Sequence, residues 1–250
     1  MKTLLVAEYR DGTLLGSTYE LVDFANRINA ESAMFLVGSD SALPQYDGTL
    51  YLADSDKHGE YNPAVHKQLL LEVIEQEQPE MVVFCHSSYG WDLAPRVALA
   101  LNASQISEVV EVAGEGLIVG ACNAKLRREV KSRTGKTVVT LQAGAFGLSS
   151  DPVGRPTVKP IDNDTAARVE LLGYEAAEEG GVDLSKAEII VSAGRGIGKP
   201  ENLEIISALA RALGGEYAAS RPVVDAEWAE HNRQVGTTGQ TVSPKLYVAC

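Results

Sequence analysis

Residues 189–202 read Ile-Ile-Val-Ser-Ala-Gly-Arg-Gly-Ile-Gly-Lys-Pro-Glu-Asn, a short apolar run followed by a loop that holds three glycines. The β-branched residues 189–191 are typical of a buried parallel strand. Three glycines allow a sharp turn and close approach to a ligand, and Pro200 suits the first turn of a helix that should run to Leu213. We therefore predict a strand, a loop and a helix N-terminus, whose free N–H groups suit a phosphate.

The glycine loop matches neither common nucleotide motif. A Rossmann G-x-G-x-x-G that begins at Gly194 would need glycine at Lys199, and a P-loop that ends at Lys199 would need serine or threonine at Pro200. The loop is therefore neither an ordinary NAD fingerprint nor a nucleotide triphosphatase loop. Taken alone, it is interpreted equally well as a tight turn, because glycines often follow strands.

Further motifs follow the glycine loop in order. The chain contains S-R-P-V-V-D at residues 220–225, Q-V-G-T-T-G at 234–239 and P-K-L-Y-V-A at 244–249. With G-R-G at 194–196, this ordered set resembles the flavin domain of the electron transfer flavoprotein α subunit. Upstream, G-W-D-L-A-P-R-V-A at 90–98 resembles the N-terminal domain of the same family. The resemblance therefore covers nearly the whole chain.

The resemblance implies FAD as the cofactor and assigns its contacts to these loops. Arg221 would lie beside the flavin ring, where a permanent cation stabilises the reduced, anionic ring and raises its reduction potential. Arg195 would contact the flavin or the domain interface from the glycine loop. The predicted cofactor-binding residues are Arg195, Ser220, Arg221, Gln234, Val235, Gly236, Thr237 and Thr238.

Each assignment has a plainer structural alternative. The Ser220 and Thr238 hydroxyls suit the ring edge or the phosphates, but they also suit ordinary turns. The two arginines would otherwise be solvated loop residues. Gln234 would otherwise only support its loop, in which residues 235–237 would offer backbone groups to the cofactor.

The resemblance also implies a function. The protein would be the α subunit of a heterodimer with a smaller β subunit, and would carry electrons from acyl-CoA or other flavin dehydrogenases, as in fatty acid β-oxidation, to a membrane quinone reductase or another acceptor. It would need no catalytic residue of its own, because the cofactor carries the redox chemistry. The alternative is a nucleotide-binding or interaction module of this family that has lost flavin redox function.

One departure from the family pattern concerns the end of the chain. Family members continue past the L-Y-V-A strand into a G-I-S-G-A-x-Q-H segment, whereas this sequence ends at Cys250. We therefore expect either a truncated or a divergent short member. In both cases the FAD domain would be incomplete at its C-terminus and would hold FAD weakly.

Composition excludes several classes. With 22 basic and 34 acidic residues, a formal net charge of −12 disfavours nucleic-acid binding. No apolar run approaches the roughly 20 residues that a membrane-spanning helix needs. Three widely separated cysteines fit reduced intracellular thiols, and the histidines show no zinc spacing, so no metal site is expected. Without a signal-peptide pattern, we expect a cytoplasmic location, or the mitochondrial matrix in a eukaryote.

The N-terminal part alternates strands with helices, which predicts a mostly parallel sheet. Strands are expected at residues 3–8, 33–37, 50–53 and 81–85. Helices are expected after a capping box formed by Ser17 and Glu20, after Asn62, and from near Asp92.

Four segments then follow one another without helices between them, and we interpret them as antiparallel strands or an extended excursion. They contain residues 109–110, 117–119, 126–130 and 137–141. A polar helix is expected around residues 165–178.

These patterns predict an α/β protein with two domains. Residues 1–183 would form an N-terminal domain with a mostly parallel sheet and helices, similar to nucleotide hydrolases, that contacts the β subunit. Residues 184–250 would form an incomplete, doubly wound FAD-binding domain.

Overall fold

The computed structural model describes residues 1–114, 116–122, 125–147, 151–167, 169–174, 182, 184, 187–236, 238–240 and 242–250. The chain divides into two compact units, Met1–Tyr174 and Glu175–Cys250. The domain boundary that the sequence predicts near Asp183 lies outside the described residues.

The N-terminal unit alternates strands and helices along its first half. Its strands are β1 (Lys2–Val6), β2 (Tyr9–Arg10), β3 (Thr13–Leu14), β4 (Glu31–Gly38), β5 (Thr49–Asp54), β6 (Met81–Cys85), β7 (Ser104–Ala113), β8 (Gly116–Ala121), β9 (Leu126–Val130), β10 (Thr137–Leu141) and β11 (Thr157–Pro160). Its helices are α1 (Thr18–Arg27), α2 (Ser55–His58), α3 (Pro63–Glu77) and α4 (Ser88–Leu101).

Within the described residues of this unit, nine strands form one sheet in the order β11-β5-β4-β1-β6-β10-β7-β8-β9. All pairs from β11 to β7 are parallel, whereas β7-β8 and β8-β9 are antiparallel. The strands β2 and β3 form a separate hairpin. The predicted α/β class with a mostly parallel sheet is confirmed.

The sheet has a core on each face, because successive side chains of a strand point to opposite sides. Leu4 and Val6 of β1 pack in one core, together with side chains from α3 and α4. Leu5 packs in the other, which contains Leu21 and Phe24 of α1. Burial on both faces explains why β1 and β6 are continuous apolar runs rather than alternating ones.

The interpretation of residues 137–141 as an antiparallel strand was wrong. This strand, β10, lies between β6 and β7 and pairs in parallel with both. The chain first extends the sheet through the antiparallel strands β7 to β9 and then returns to fill the gap between β6 and β7. All five β10 residues are buried, which is the environment that a continuous Thr-Val-Val-Thr-Leu run suits.

The predicted polar helix at residues 165–178 was wrong where the structure describes it, because residues 165–167 and 169–174 are not helical. Contacts with residues 60–62 hold this segment instead. The Asn62 amide donates to the Val169 carbonyl at 3.1 Å, and the Tyr174 hydroxyl donates to the Glu60 carboxylate. The other residues of the predicted helix, 168 and 175–178, lie outside the described part.

Two helix starts also differ from prediction. The α4 helix begins at Ser88, four residues before Asp92, and the Ser87 hydroxyl accepts from the Gly90 N–H at 3.0 Å. At α1, the Ser17 side chain makes no capping hydrogen bond. The Glu20 carboxylate accepts from the Gly144 N–H at 2.9 Å, so it fixes the loop after β10 rather than its own helix start.

The C-terminal unit contains β12 (Ile189–Ala193), α5 (Leu203–Ala212), β13 (Glu216–Ala219), α6 (Arg221–Val224) and β14 (Leu246–Ala249). Its described strands form a parallel sheet in the order β13-β12-β14. On one face Val191 packs against Ile206 of α5, and on the other Ile190 packs against Leu184. Throughout the described residues, no helix combines the length and apolar composition that a bilayer crossing requires.

A buried acid lies at the end of β1. Glu8 is 4% exposed and accepts a hydrogen bond from the Ser87 hydroxyl. Burial raises the pKa of Glu8 from 4.5 to about 7, although the Ser87 hydrogen bond and the Arg10 charge act in the opposite direction. The folded protein therefore favours the neutral acid more strongly than the unfolded chain does.

We expect Glu8→Gln to change how stability depends on pH. Because the folded pKa lies above the unfolded one, the Glu8 contribution is present below pH 4.5 and is lost as pH rises through about 7. The free energy of unfolding of the native protein, relative to that of Glu8→Gln, should fall by about 3 kcal/mol when the pH is raised from below 4.5 to 8. Urea unfolding measures this difference, with Glu75→Gln on α3 as the control for loss of one carboxylate. Parallel curves for native protein and Glu8→Gln would contradict it.

Candidate functional site

Two loops of the C-terminal unit meet where β12 and β13 end. The glycine loop, residues 194–198, follows β12, and the arginine loop, residues 220–228, follows β13. The strands are adjacent and parallel, so both loops leave the same edge of the sheet, which we name the carboxyl edge. The Ser220 N–H donates to the Ala193 carbonyl at 2.9 Å and joins the two loop starts. Crevices at such edges are the usual ligand sites of α/β sheets.

The glycine loop forms a tight turn at residues 195–197. A Cβ on Gly194 would lie 2.9 Å from the Cys250 carbonyl oxygen, so internal packing requires this glycine. Gly198 has a φ of +83°, a left-handed backbone conformation that requires glycine at this position as well. A Cβ on Gly196 would meet no atom within 4 Å, and its φ is not positive. The protein itself therefore does not require Gly196, whereas the close approach of a ligand would.

Arg195 reaches from the glycine loop to the arginine loop. Its Nη1 donates to the Pro222 carbonyl at 3.3 Å, and its guanidinium carbon lies 5.3 Å from the ring centroid of Trp228. No described residue accepts from the backbone N–H of Arg195 or Gly196. A cation and two free N–H groups thus lie together, which suits an anionic ligand.

Ser220 and Arg221 begin the arginine loop. The Ser220 hydroxyl makes no capping hydrogen bond at the start of α6. The Arg221 Nε lies 3.3 Å from the Asp225 Oδ2, and both side chains are 61% exposed. Exposed pairs of this kind contribute about 0–1 kcal/mol, so a ligand can displace Asp225 at small cost.

The third loop, residues 234–240, lies beside the end of β13. Its Val235 N–H donates to the Ala219 carbonyl at 3.0 Å. Gln234 is 3% exposed, and its amide donates to the Thr238 hydroxyl at 3.0 Å, which supports the loop. The Gly236 N–H donates to the Gln240 carbonyl at 3.2 Å. Two backbone donors that the sequence assigned to the cofactor are therefore bonded within the protein.

The structure brings most of the predicted residues to one region. Arg195, Ser220 and Arg221 lie on loops at the carboxyl edge, and Gln234, Val235, Gly236 and Thr238 lie on the third loop beside it. Thr237 lies outside the described residues. The described residues contain no group of three or more metal-ligating side chains.

Sequence reasoning missed two residues that the structure adds. Asp225 pairs with Arg221, and the spacing of four residues within a short helix was an available signal. Trp228 contacts Arg195 across two loops. No spacing rule connects residues 33 positions apart, so that contact had no signal in the sequence.

A depression beside Trp228 is a poor phosphate site. It has a volume of about 500 Å³ and is lined by Tyr217, Val224, Glu227, Trp228, Ala229, Glu230 and His231. Two carboxylates at its wall repel an anion. The donor groups for a dinucleotide lie instead on the glycine loop and the two arginines, and this set fits FAD.

Comparison with known proteins identifies the family. Residues 3–175 match the electron transfer flavoprotein domain, and residues 183–250 match the electron transfer flavoprotein FAD-binding domain. The electron transfer flavoprotein subunit alpha of Bacillus subtilis (strain 168) is 30% identical over 265 residues, which cover 100% of this chain and 81% of that protein.

Relatives from other organisms give similar matches. The mitochondrial electron transfer flavoprotein subunit alpha of Arabidopsis thaliana is 29% identical over 273 residues, which cover 100% of this chain and 75% of that protein. Protein FixB of Clostridium saccharobutylicum is 30% identical over 266 residues, which cover 98% of this chain and 79% of that protein. The chain therefore belongs to the electron transfer flavoprotein α-subunit family, whose cofactor is FAD.

Proposed function

We propose that this protein binds FAD at the carboxyl edge of β12 and β13 and acts as the electron-carrying α subunit of an electron transfer flavoprotein. One observation carries the proposal: Arg195 and the free N–H groups of the glycine loop lie together inside the segment that matches the FAD-binding domain. FAD supplies the electron-transfer chemistry when it is bound. The chain supplies binding, orientation and charge.

Each loop has a separate task. The glycine loop binds an anionic group, to which the backbone N–H groups of Arg195 and Gly196 donate hydrogen bonds. Ser220 offers a hydroxyl without a capping partner, and Arg221 offers a positive charge near the ring. Gln234 holds Thr238 in place, and the Thr238 hydroxyl keeps acceptor or donor capacity for the cofactor.

A module of this family without flavin redox function is the second candidate. The third loop favours it, because the N–H groups of Val235 and Gly236 are already bonded to Ala219 and Gln240. Such a module would keep the fold and the glycine loop but hold no flavin. Flavin content therefore separates the two candidates.

Partners and location extend the proposal. The family normally pairs an α with a β subunit, and we propose the same heterodimer here. Electrons would come from acyl-CoA or other flavin dehydrogenases and pass to a membrane quinone reductase or another acceptor, in the cytoplasm or the mitochondrial matrix. On α4, Trp91 is 68% exposed and Leu99 is 84% exposed, and we propose that this face of α4 contributes to the β-subunit interface.

FAD binding is tested at Gly196. In a titration with added FAD the protein should bind one FAD per chain, and Gly196→Val should weaken FAD affinity by about tenfold or more because a side chain fills the open space. The thermal midpoint should not change, since the added Cβ meets no protein atom. Gly135→Val, at another open glycine, is the matched control. Equal affinity of the two variants would place FAD elsewhere, and absence of flavin binding by the unmodified protein would favour the second candidate.

The role of Arg221 is tested by the reduction potential of the FAD-loaded heterodimer. A guanidinium near the ring stabilises the negative charge that reduction adds. Loss of about 1 to 3 kcal/mol in Arg221→Ala lowers the one-electron potential by roughly 40 to 130 mV. Spectroelectrochemical titration measures the shift, and Arg211→Ala on α5 removes a cation far from the loops as a control.

Asp225→Asn should shift the reduction potential in the opposite direction. It therefore separates an effect of charge from a disturbance of the arginine loop. It removes the carboxylate that pairs with Arg221, so the potential should rise. A fall in both variants would mean that they disturb the loop rather than the charge. An unchanged potential in Arg221→Ala would remove Arg221 from the site.

The heterodimer is tested on α4. Leu99→Asp places a charge in the exposed apolar surface and should weaken β-subunit affinity by about tenfold or more, as desolvation of an unpaired charge does at an interface. Val153→Asp, at another exposed apolar residue, is the control. Sedimentation measures complex formation. Equal binding by both variants would exclude this face of α4 from the interface.

A further inference from the structure

We propose that Trp228 is a positioning residue that holds Arg195 in its binding orientation before FAD arrives. The proposal rests on the proposed function, because it concerns how the FAD site is prepared. It adds a residue outside the set of cofactor contacts. It also gives the pair a test that needs no flavin.

Among the described residues, the arginine loop supplies both side-chain contacts of Arg195. The Pro222 carbonyl accepts from its Nη1 at 3.3 Å, and the face of Trp228 lies under the guanidinium at 5.3 Å. Both partners belong to the segment after β13, whereas Arg195 follows β12. The side chain therefore connects the two loops that form the carboxyl edge.

Trp228 is itself fixed by the turn after α6. Its backbone N–H donates to the carbonyl of Val223 at 3.1 Å, and Val223 is fully buried. Glu227 has a φ of +59°, the left-handed conformation that reverses the chain direction before Trp228. The backbone of Trp228, from which the ring projects, is thus tied to the buried Val223.

The ring contact restrains Arg195 without using its hydrogen-bond donors. A guanidinium has five N–H donors, and Pro222 takes one of them. A cation–π contact takes none. Most donors therefore stay available for an anion, and less rotamer freedom is lost when the ligand binds.

Charge balance distinguishes Arg195 from two other arginines of the C-terminal unit. In the described part of the chain no carboxylate pairs with Arg195, whereas Arg221 pairs with Asp225 and Arg211 pairs with Glu204. A carboxylate would hold the arginine equally well but would cancel its charge. An aromatic face restrains the side chain and leaves the full positive charge for the ligand.

The contact is tested first without flavin. In a Trp91→Phe background Trp228 is the remaining tryptophan, so its fluorescence reports its surroundings. Arg195→Ala should shift the emission and increase acrylamide quenching in the flavin-free protein, because the guanidinium no longer covers the ring. Arg211→Ala in the same background is the control. Unchanged emission and quenching in Arg195→Ala would overturn the proposal.

FAD affinity then tests positioning by a double-mutant cycle. Trp228→Ala should weaken FAD binding by ~2- to 5-fold, the loss of one exposed cation–π contact, and Trp228→Phe should recover part of it. In the Arg195→Ala background, Trp228→Ala should cause no further loss, because the tryptophan acts through the arginine. Equal losses in both backgrounds would overturn the proposal in favour of direct ring contact or loop damage.

The proposed function and the positioning role fail in different ways. A protein that binds no FAD refutes the proposed function, while the flavin-free fluorescence still decides whether Arg195 covers Trp228. Normal FAD binding with a silent Trp228→Ala variant refutes the positioning role alone. Thermal unfolding of each variant separates both results from loss of the fold.

Discussion

The parallel pairing of β12 with β13 is the constraint on which the candidate site depends. It aligns Ala193 with Ala219, so that the next residue of each strand begins a loop at the same edge. The Ser220 N–H then donates a hydrogen bond to the Ala193 carbonyl, which joins the starts of the two loops. The contacts of Arg195 with Pro222 and Trp228 exist only because these two loops start side by side.

Local sequence predicted the elements of the fold better than their arrangement. The apolar run at residues 81–85 is a strand with those bounds, and Asn62 caps α3 as its sequence indicates, by accepting from the Val65 N–H. The position of β10 was not predictable, since Thr-Val-Val-Thr-Leu suits a buried strand of either direction. Glu20 binds a backbone N–H 124 residues away, and no local pattern encodes such a partner.

In the candidate site, too, local motifs were predictable from the sequence and contacts between loops were not. The glycine loop and the two arginines were visible as motifs, because glycine and arginine are required by backbone geometry and charge respectively. The internal bonds of Val235 and Gly236 depend on how the third loop closes against β13, which the motif does not specify. Trp228 becomes relevant only when two loops from different strands meet.

The late return of β10 to the sheet affects how the N-terminal unit can be built during synthesis. Until residues 137–141 leave the ribosome, β6 and β7 have no shared partner, and each presents unpaired backbone groups toward the gap. A nascent chain that already contains β1, β4 and β6 therefore holds an incomplete sheet whose exposed strand edge invites association with other chains. Closing the gap is a long-range step, which slows completion of the fold relative to the helices and hairpins around it.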